Sequence, residues 1–152
     1  MAPHGYLALV LHAHLPYVRH PEYDEFLEED WLYEAITETY LPLLQILHGL
    51  ADDGVPFALT LTLSPPLCHM LRDPLLQERT ERYLDRSVEL ARREMARTQD
   101  SGAVAEVARF YFHRLTQCRR DYVERWQRDL VGAFGGGFGI GHGFVFVKGP
   151  TD

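Results

Sequence analysis

The sequence predicts an α/β domain built on a parallel sheet. Three observations predict it: a continuous apolar run near the start, a second run where apolar and small polar residues alternate, and long helical patterns around that second run. Strands that alternate with helices pair in parallel through right-handed crossovers.

The first run is Tyr6-Leu7-Ala8-Leu9-Val10-Leu11. A strand buried on both faces reads this way, and parallel sheets covered by helices supply such strands. It ends in His12-Ala13-His14 and Pro16, and Pro21 with an acidic run marks residues 17–29 as a loop. Asp30 is placed to cap a helix starting at Trp31, with Glu34 near its positive end. Trp31, Ala35, Ile36, Leu43, Leu44 and Leu47 recur at helical spacing, and Gly49 or Gly54 marks the exit. Pro42 lies inside the pattern and predicts a kink or a division. The second strand is Pro56 to Leu63, closed by Ser64-Pro65-Pro66. A helix rich in Arg and Glu follows from Pro74 to Thr98. After Gln99-Asp100-Ser101-Gly102, a second long helical pattern runs to about Phe134.

From Gly135 the composition changes. Residues 135–152 carry a glycine run and one short apolar stretch, Phe144-Val145-Phe146-Val147. Ordering clustered glycine costs entropy, so the division expected is 1–134 as the folded part and 135–152 as a loosely held tail with one short strand.

Size and charge exclude several functions. The 152 residues suit one domain, and 46 % hydrophobic with 24 % charged residues is an ordinary globular balance. The net charge is −7, and the arginines of residues 79–97 alternate with acids, so no uncompensated basic surface invites nucleic acid. No apolar run reaches the roughly 18 residues of a membrane span, and the first run is too short for a signal peptide. Cys68 and Cys118 form no metal or redox spacing, which implies no cofactor and a cytoplasmic setting.

The residues that carry chemistry are His12 and His14. Ligands of parallel sheets sit at the carboxyl ends of the strands, and positions i and i+2 of a strand share a face. Both imidazoles would enter one pocket, with Tyr17 on its rim. Three uses remain open on spacing alone: satisfied structural histidines, ligands of a hydrolytic metal, or hydrogen-bonding partners of sugar hydroxyls.

Two segments bear on that choice. Gly5-Tyr6-Leu7-Ala8-Leu9-Val10-Leu11-His12-Ala13-His14-Leu15-Pro16-Tyr17-Val18-Arg19 and Trp31-Leu32-Tyr33-Glu34-Ala35-Ile36-Thr37-Glu38-Thr39-Tyr40-Leu41-Pro42-Leu43-Leu44 resemble the start of glycoside hydrolase family 57, and within it the 1,4-α-glucan branching enzymes. The resemblance covers residues 5 to about 134, and over 65–130 it lies mainly in helical character. It implies the first strands and helices of a seven-stranded (β/α) barrel and a retaining enzyme that moves α-glucan segments to form 1,6 branches. It implies that His12 and His14 line the donor sugar subsite and that Trp31 helps form the glucan cleft, with Tyr17 a weaker candidate. An α-glucan is the partner so implied.

Retaining transfer needs two carboxyl groups about 5–5.5 Å apart. The family carries them on later strands, and those motifs are absent here, so no catalytic residue is carried over. The chain is also shorter than the ~250 residues of a full barrel. The expectation is therefore an inactive N-terminal fragment, with the change at Gly135 read as a truncated or frame-shifted continuation. The alternatives are a glucan-binding or partner-pairing fragment, which self-associates through an unpaired sheet edge, and a metal-dependent hydrolase using His12 and His14.

Overall fold

The parallel pairing of two strands, β1 (Val10–Ala13) and β2 (Ala58–Leu63), sets the frame. The computed structural model describes residues 5, 7–136, 140–141 and 144–148. Between the strands run α1 (Asp30–Ala35) and α2 (Leu41–Asp52), and after β2 come α3 (Pro65–Arg72), α4 (Pro74–Arg97), α5 (Ala103–Arg120) and α6 (Leu130–Gly136). Two further strands, β3 (Ile140–Gly141) and β4 (Phe144–Lys148), complete a sheet of order β1-β2-β4-β3. β4 lies antiparallel to β2, so the sheet is mixed rather than purely parallel. The expectations for residues 137–139, 142–143 and 149–152 of the tail, and for Tyr6, fall outside the described residues.

The first strand differs from its expectation. Among the described residues it is paired from Val10, leaving Leu7–Leu9 outside it, and it includes His12 and Ala13. Thr60 N–H donates to Leu9 O and Ser64 N–H to Ala13 O, so the ladder rather than the apolar run decides its extent. Burial on both faces is also not found: Leu7 is 92 % exposed and Val10 63 %. β1 is an edge strand, and among the described residues only its inner side meets the core, through Ala13 and Leu11.

The core lies between β2 and the helices. Leu61 and Leu63 meet Leu32, Ile36, Leu41, Leu44 and Leu47 from the crossover, Leu67, Met70 and Leu71 from α3, Leu76 and Leu84 from α4, and Leu130 and Phe134 from α6.

The crossover falls into two α-helices next to Pro42, as expected, but helical backbone is not interrupted between them. A π turn, Ile36–Tyr40, joins α1 to α2 with right-handed helical backbone at both junctions, and Pro42 falls in the first turn of α2. Pro42 has no N–H for the carbonyl one turn back. Arg114 of α5 donates to that carbonyl, Glu38 O, at 3.3 Å and pairs with the Glu38 carboxylate at 2.8 Å. Gly54, with φ +69°, marks the exit, whereas Gly49 lies inside α2.

Pro65 and Pro66 open α3 instead of merely closing β2. Proline suits a first helical turn, where the N–H lacks an intrahelical acceptor. Asp73 then starts α4, accepting from the N–H groups of Leu75 at 3.0 Å and Leu76 at 3.1 Å and pairing with Arg19 at 2.6 Å. The long pattern expected to reach Phe134 is broken after a π turn, Asp121–Arg125, by left-handed backbone at Gln127 and Arg128. The break is held by Gln77 Nε2 on Arg128 O at 3.0 Å and an Arg128–Glu81 ion pair. Asp129 then caps α6 through Gly132 N–H at 2.8 Å; a Cβ at Gly132 would lie 2.2 Å from the Asp129 carboxylate.

The Asp73 carboxyl is held below its ordinary value of 3.8: burial pushes it up, but the Leu76 N–H, the Arg19 guanidinium and the Leu75 N–H outweigh that. A group depressed in the folded state stabilises fully above the unfolded pKa and loses its contribution as pH falls through the folded one. Asp73→Ala is therefore expected to cost about 1 kcal/mol near neutrality. Urea midpoints of the two proteins should converge as the pH falls below 3.8; a constant gap would contradict this assignment.

Candidate functional site

His12 and His14 are two positions apart at the carboxyl end of β1, and strand alternation places them on one side. Their rings stack with centroids 6.0 Å apart and planes within 10° of parallel. Both side chains are exposed. The register sets Thr62 directly across from His12, and Thr62 Oγ1 lies 2.5 Å from His12 Nδ1. One ring nitrogen is thereby engaged. Whichever tautomer is present, Nε2 is left to donate to or accept from a ligand hydroxyl, which can play either role.

Tyr17 joins this end of the sheet through α3. Its ring lies 5.7 Å from that of His69, and the adjacent Val18 is buried with its N–H on Met70 Sδ at 3.3 Å. Sequence reading passed over Thr62 and His69. Thr62 carried a signal, since it lies one residue before the end of the second strand as expected from sequence, but its pairing with His12 depends on register. His69 lies on a helix that was not expected.

Trp31 sits elsewhere. Its side chain is half exposed and lines a depression of about 430 Å³ with Glu34, Ala35, Glu38, Thr39 and Tyr83. The structure thus brings together His12, His14 and Thr62 on the sheet and Tyr17 with His69 beside it, and it places Trp31 on the α1–α4 side.

A strap, residues 15–29, connects the two regions. At its far end Glu29 is 1 % exposed and Arg79 of α4 is 6 % exposed. Arg79 Nη1 donates to both Glu29 oxygens at 2.7 Å and to His20 O at 3.2 Å, and Nη2 donates to Tyr23 O. Glu29 also accepts from His20 N–H at 2.9 Å and Tyr33 O–H at 2.6 Å. Burial pushes the Glu29 carboxyl up, yet the Tyr33 hydroxyl, the His20 N–H and Arg79 together hold it below its ordinary value. Burial and the Glu29 charge push the Tyr33 phenol far above its own. Asp30 does not cap α1 as expected. Helical backbone already begins in the turn Leu27–Glu29, leaving Asp30 inside the helix.

Among the described residues no three His, Cys, Asp or Glu side chains group closely enough to hold a metal ion. His12 and His14 therefore lack the further ligand that a hydrolytic metal would need from them. No helix among the described residues is long and apolar enough to cross a membrane.

Comparison with known proteins assigns a family to this arrangement. The model for "Glycosyl hydrolase family 57" matches residues 8–135. A 1,4-alpha-glucan branching enzyme of Thermococcus kodakarensis is 35 % identical over 128 residues, which are 84 % of this chain and 18 % of that enzyme. A probable 1,4-alpha-glucan branching enzyme of Mycobacterium tuberculosis is 41 % identical over 70 residues, 46 % of this chain and 13 % of its own length. Among solved structures, the alpha-amylase AmyC of Thermotoga maritima superposes with a TM-score of 0.77 at 41 % identity, covering 84 % of this chain and 24 % of that one. A GH57-type branching enzyme of Pyrococcus horikoshii gives 0.76 at 32 % identity, covering 86 % and 24 %. The chain spans less than a fifth of the length of the curated relatives it matches. On the family match and the fold it shares with these enzymes, the chain belongs to glycosyl hydrolase family 57.

Proposed function

We propose that this chain supplies one wall of an α-glucan site of the branching-enzyme type, as the first strands and helices of a (β/α) barrel, and is inactive by itself. The observation that carries the reading is the stacked, exposed His12–His14 pair at the carboxyl end of β1, inside the span that matches the family. Imidazole nitrogens suit the hydroxyls of a glucose unit, and aromatic faces such as Tyr17 and Trp31 suit its apolar C–H face. The names of the relatives support an α-glucan as the ligand, and they divide between branching enzyme and amylase. Branching is the reading preferred here, on the two segments around His12 and Trp31.

Inactivity follows from the missing carboxyl pair. Among the described residues the acidic side chains lie on the strap, on helices and in the turns next to helices, with none on a strand. Purified protein mixed with amylose is expected to leave iodine staining unchanged over hours; clear loss of the stain would refute inactivity.

Binding is tested separately. Calorimetric titration with maltohexaose is expected to show heat that Trp31→Ala and His14→Ala each weaken. Since Trp31 is half exposed, Trp31→Ala should cost under about 1 kcal/mol in urea unfolding. By contrast, Trp126→Ala, at a buried position, should cost roughly 3 kcal/mol or more. Null titrations for wild type and variants alike would sink the glucan reading.

A second reading has its own observation. The outer edge of β1 is unpaired among the described residues, and Leu7, Leu9 and Val10 beside it are exposed. Such an edge offers backbone groups to a strand from a second copy. Sedimentation velocity should then show a concentration-dependent dimer that Val10→Pro abolishes; a monomer at all concentrations would exclude it.

A further inference from the structure

We propose that Arg79 is a positioning residue: it latches the strap, residues 15–29, against α4 and so fixes Tyr17 beside the His12–His14 pair. What the strap positions rests on the glucan reading above; that it is latched does not.

The strap leaves the sheet at Leu15, beside the histidines, and ends at Glu29, and both of its ends are tied to helices on the far side of β2 in sequence. Near Tyr17 the ties are Val18 N–H to Met70 Sδ at 3.3 Å and Arg19 to Asp73 at 2.6 Å. At the far end nearly every tie passes through one guanidinium. Arg79 holds the carbonyls of His20 and Tyr23 and the carboxylate of Glu29. Among the described residues a second ion pair crosses there, Glu25–Arg86, which is exposed at both partners and therefore weak. Between these ties the strap contributes ring contacts of its own, with His20 and Phe26 centroids 3.9 Å apart and Tyr23 and Phe26 5.1 Å apart.

The geometry needs arginine rather than lysine. Four acceptors are reached by two nitrogens of one planar fork, and an ammonium at a single point cannot span them. Losing the fork while Glu29 stays buried leaves its carboxylate and the strap carbonyls short of donors even when a positive charge remains, and the strap must move to hydrate them. A strap so loosened would hold Tyr17 only through the ties at Val18 and Arg19. A ligand would then have to order it on binding, which lowers affinity without removing any contact.

Two measurements on Arg79→Lys decide the matter, with Arg92→Lys, an exposed partner of Glu89, as control. Hydrogen exchange followed by mass spectrometry should show amides of residues 15–29 exchanging about tenfold faster, a loss of about 1.4 kcal/mol of local protection, with α2 unchanged. Maltohexaose titration should give a dissociation constant raised about fivefold or more at unchanged stoichiometry. A merely structural role would instead lower the stoichiometry, through unfolded protein, at unchanged affinity in the folded remainder. If Arg79→Lys does not fold, Glu29→Gln removes the other half of the pair and takes the same two readings. Unchanged strap exchange in a folded variant overturns the latch, and so does an affinity loss that appears only as lost stoichiometry. If the wild type itself takes no maltohexaose, the glucan reading falls, and the exchange measurement alone decides the latch.

Discussion

The carboxylate of Glu29 is almost wholly removed from water, and much of the molecule is arranged around that fact. An ion buried alone costs several kcal/mol, so each of its oxygens has to be answered. The answers come from three places in the chain: His20 N–H in the strap, the Tyr33 hydroxyl one turn along α1, and Arg79 some fifty residues away. This single charge therefore sets where the strap ends, how the first helix begins and how α4 is turned. It also explains why Asp30 need not cap α1. The helix start is oriented by its neighbour, and the usual capping bond is absent.

The crossover helix shows the same logic at a smaller scale. Pro42 removes a donor, a π turn accommodates the change in pitch, and Arg114 reaches across from α5 to the carbonyl that is affected. Nearby, the Cys118 thiol of α5 lies 3.8 Å from Thr37 O and is pushed up to about 11 by burial, which keeps it protonated and unreactive. Near this junction Gln45 donates to Asp121 at 3.0 Å, and Gln117 holds both of that carboxylate's oxygens at 2.9 Å. Each irregularity in one helix is met by a polar group from another, so α5 is bound to the crossover by compensation as well as by apolar packing.

These pairings mark the limit of what can be read from sequence. The succession of a strand, a helical crossover, a second strand and then long helices was legible because periodicity is a local property, and so was the common side of His12 and His14, two residues apart; the short α3 and α6 were not. The extent of β1 was not, because ladder bonds to β2 decide it and a run of apolar residues does not register them. Pro65-Pro66 was misread because two prolines signal an end and a beginning equally well. Only the N–H groups of Cys68 and of the residues after it, bonded back along the chain, distinguish the two. The Arg–Glu pattern of residues 78–97 reads as a solvated face, and for Arg92, Arg93 and Arg97 it is one, each paired with a carboxylate within a turn. Arg79 belongs to the same pattern and is buried. Nothing in its neighbours separates it from the others; its partner is fifty positions away, and Glu29 lies in an acidic run that gives no sign of which member is buried.

The chain carries acid in excess, with a net charge of −7, and yet among the described residues no carboxylate stands on a strand. The reason is where the carboxylates are used. Glu29 neutralises Arg79, Asp73 and Asp129 cap helices, Asp121 is held by two glutamines, and Glu81 is shared by Arg119 and Arg128. For Glu29 and Asp73 these contacts hold the carboxyl below its ordinary value. A retaining mechanism needs one carboxyl kept protonated and a second ionised close by, a division that comes from contrasting environments at one strand end. The carboxyl ends of β1 and β2 carry imidazoles, a hydroxyl and apolar groups instead. Such groups can hydrogen-bond a hydroxylated ligand, and under the proposed glucan reading bond cleavage falls to carboxylates outside the described residues.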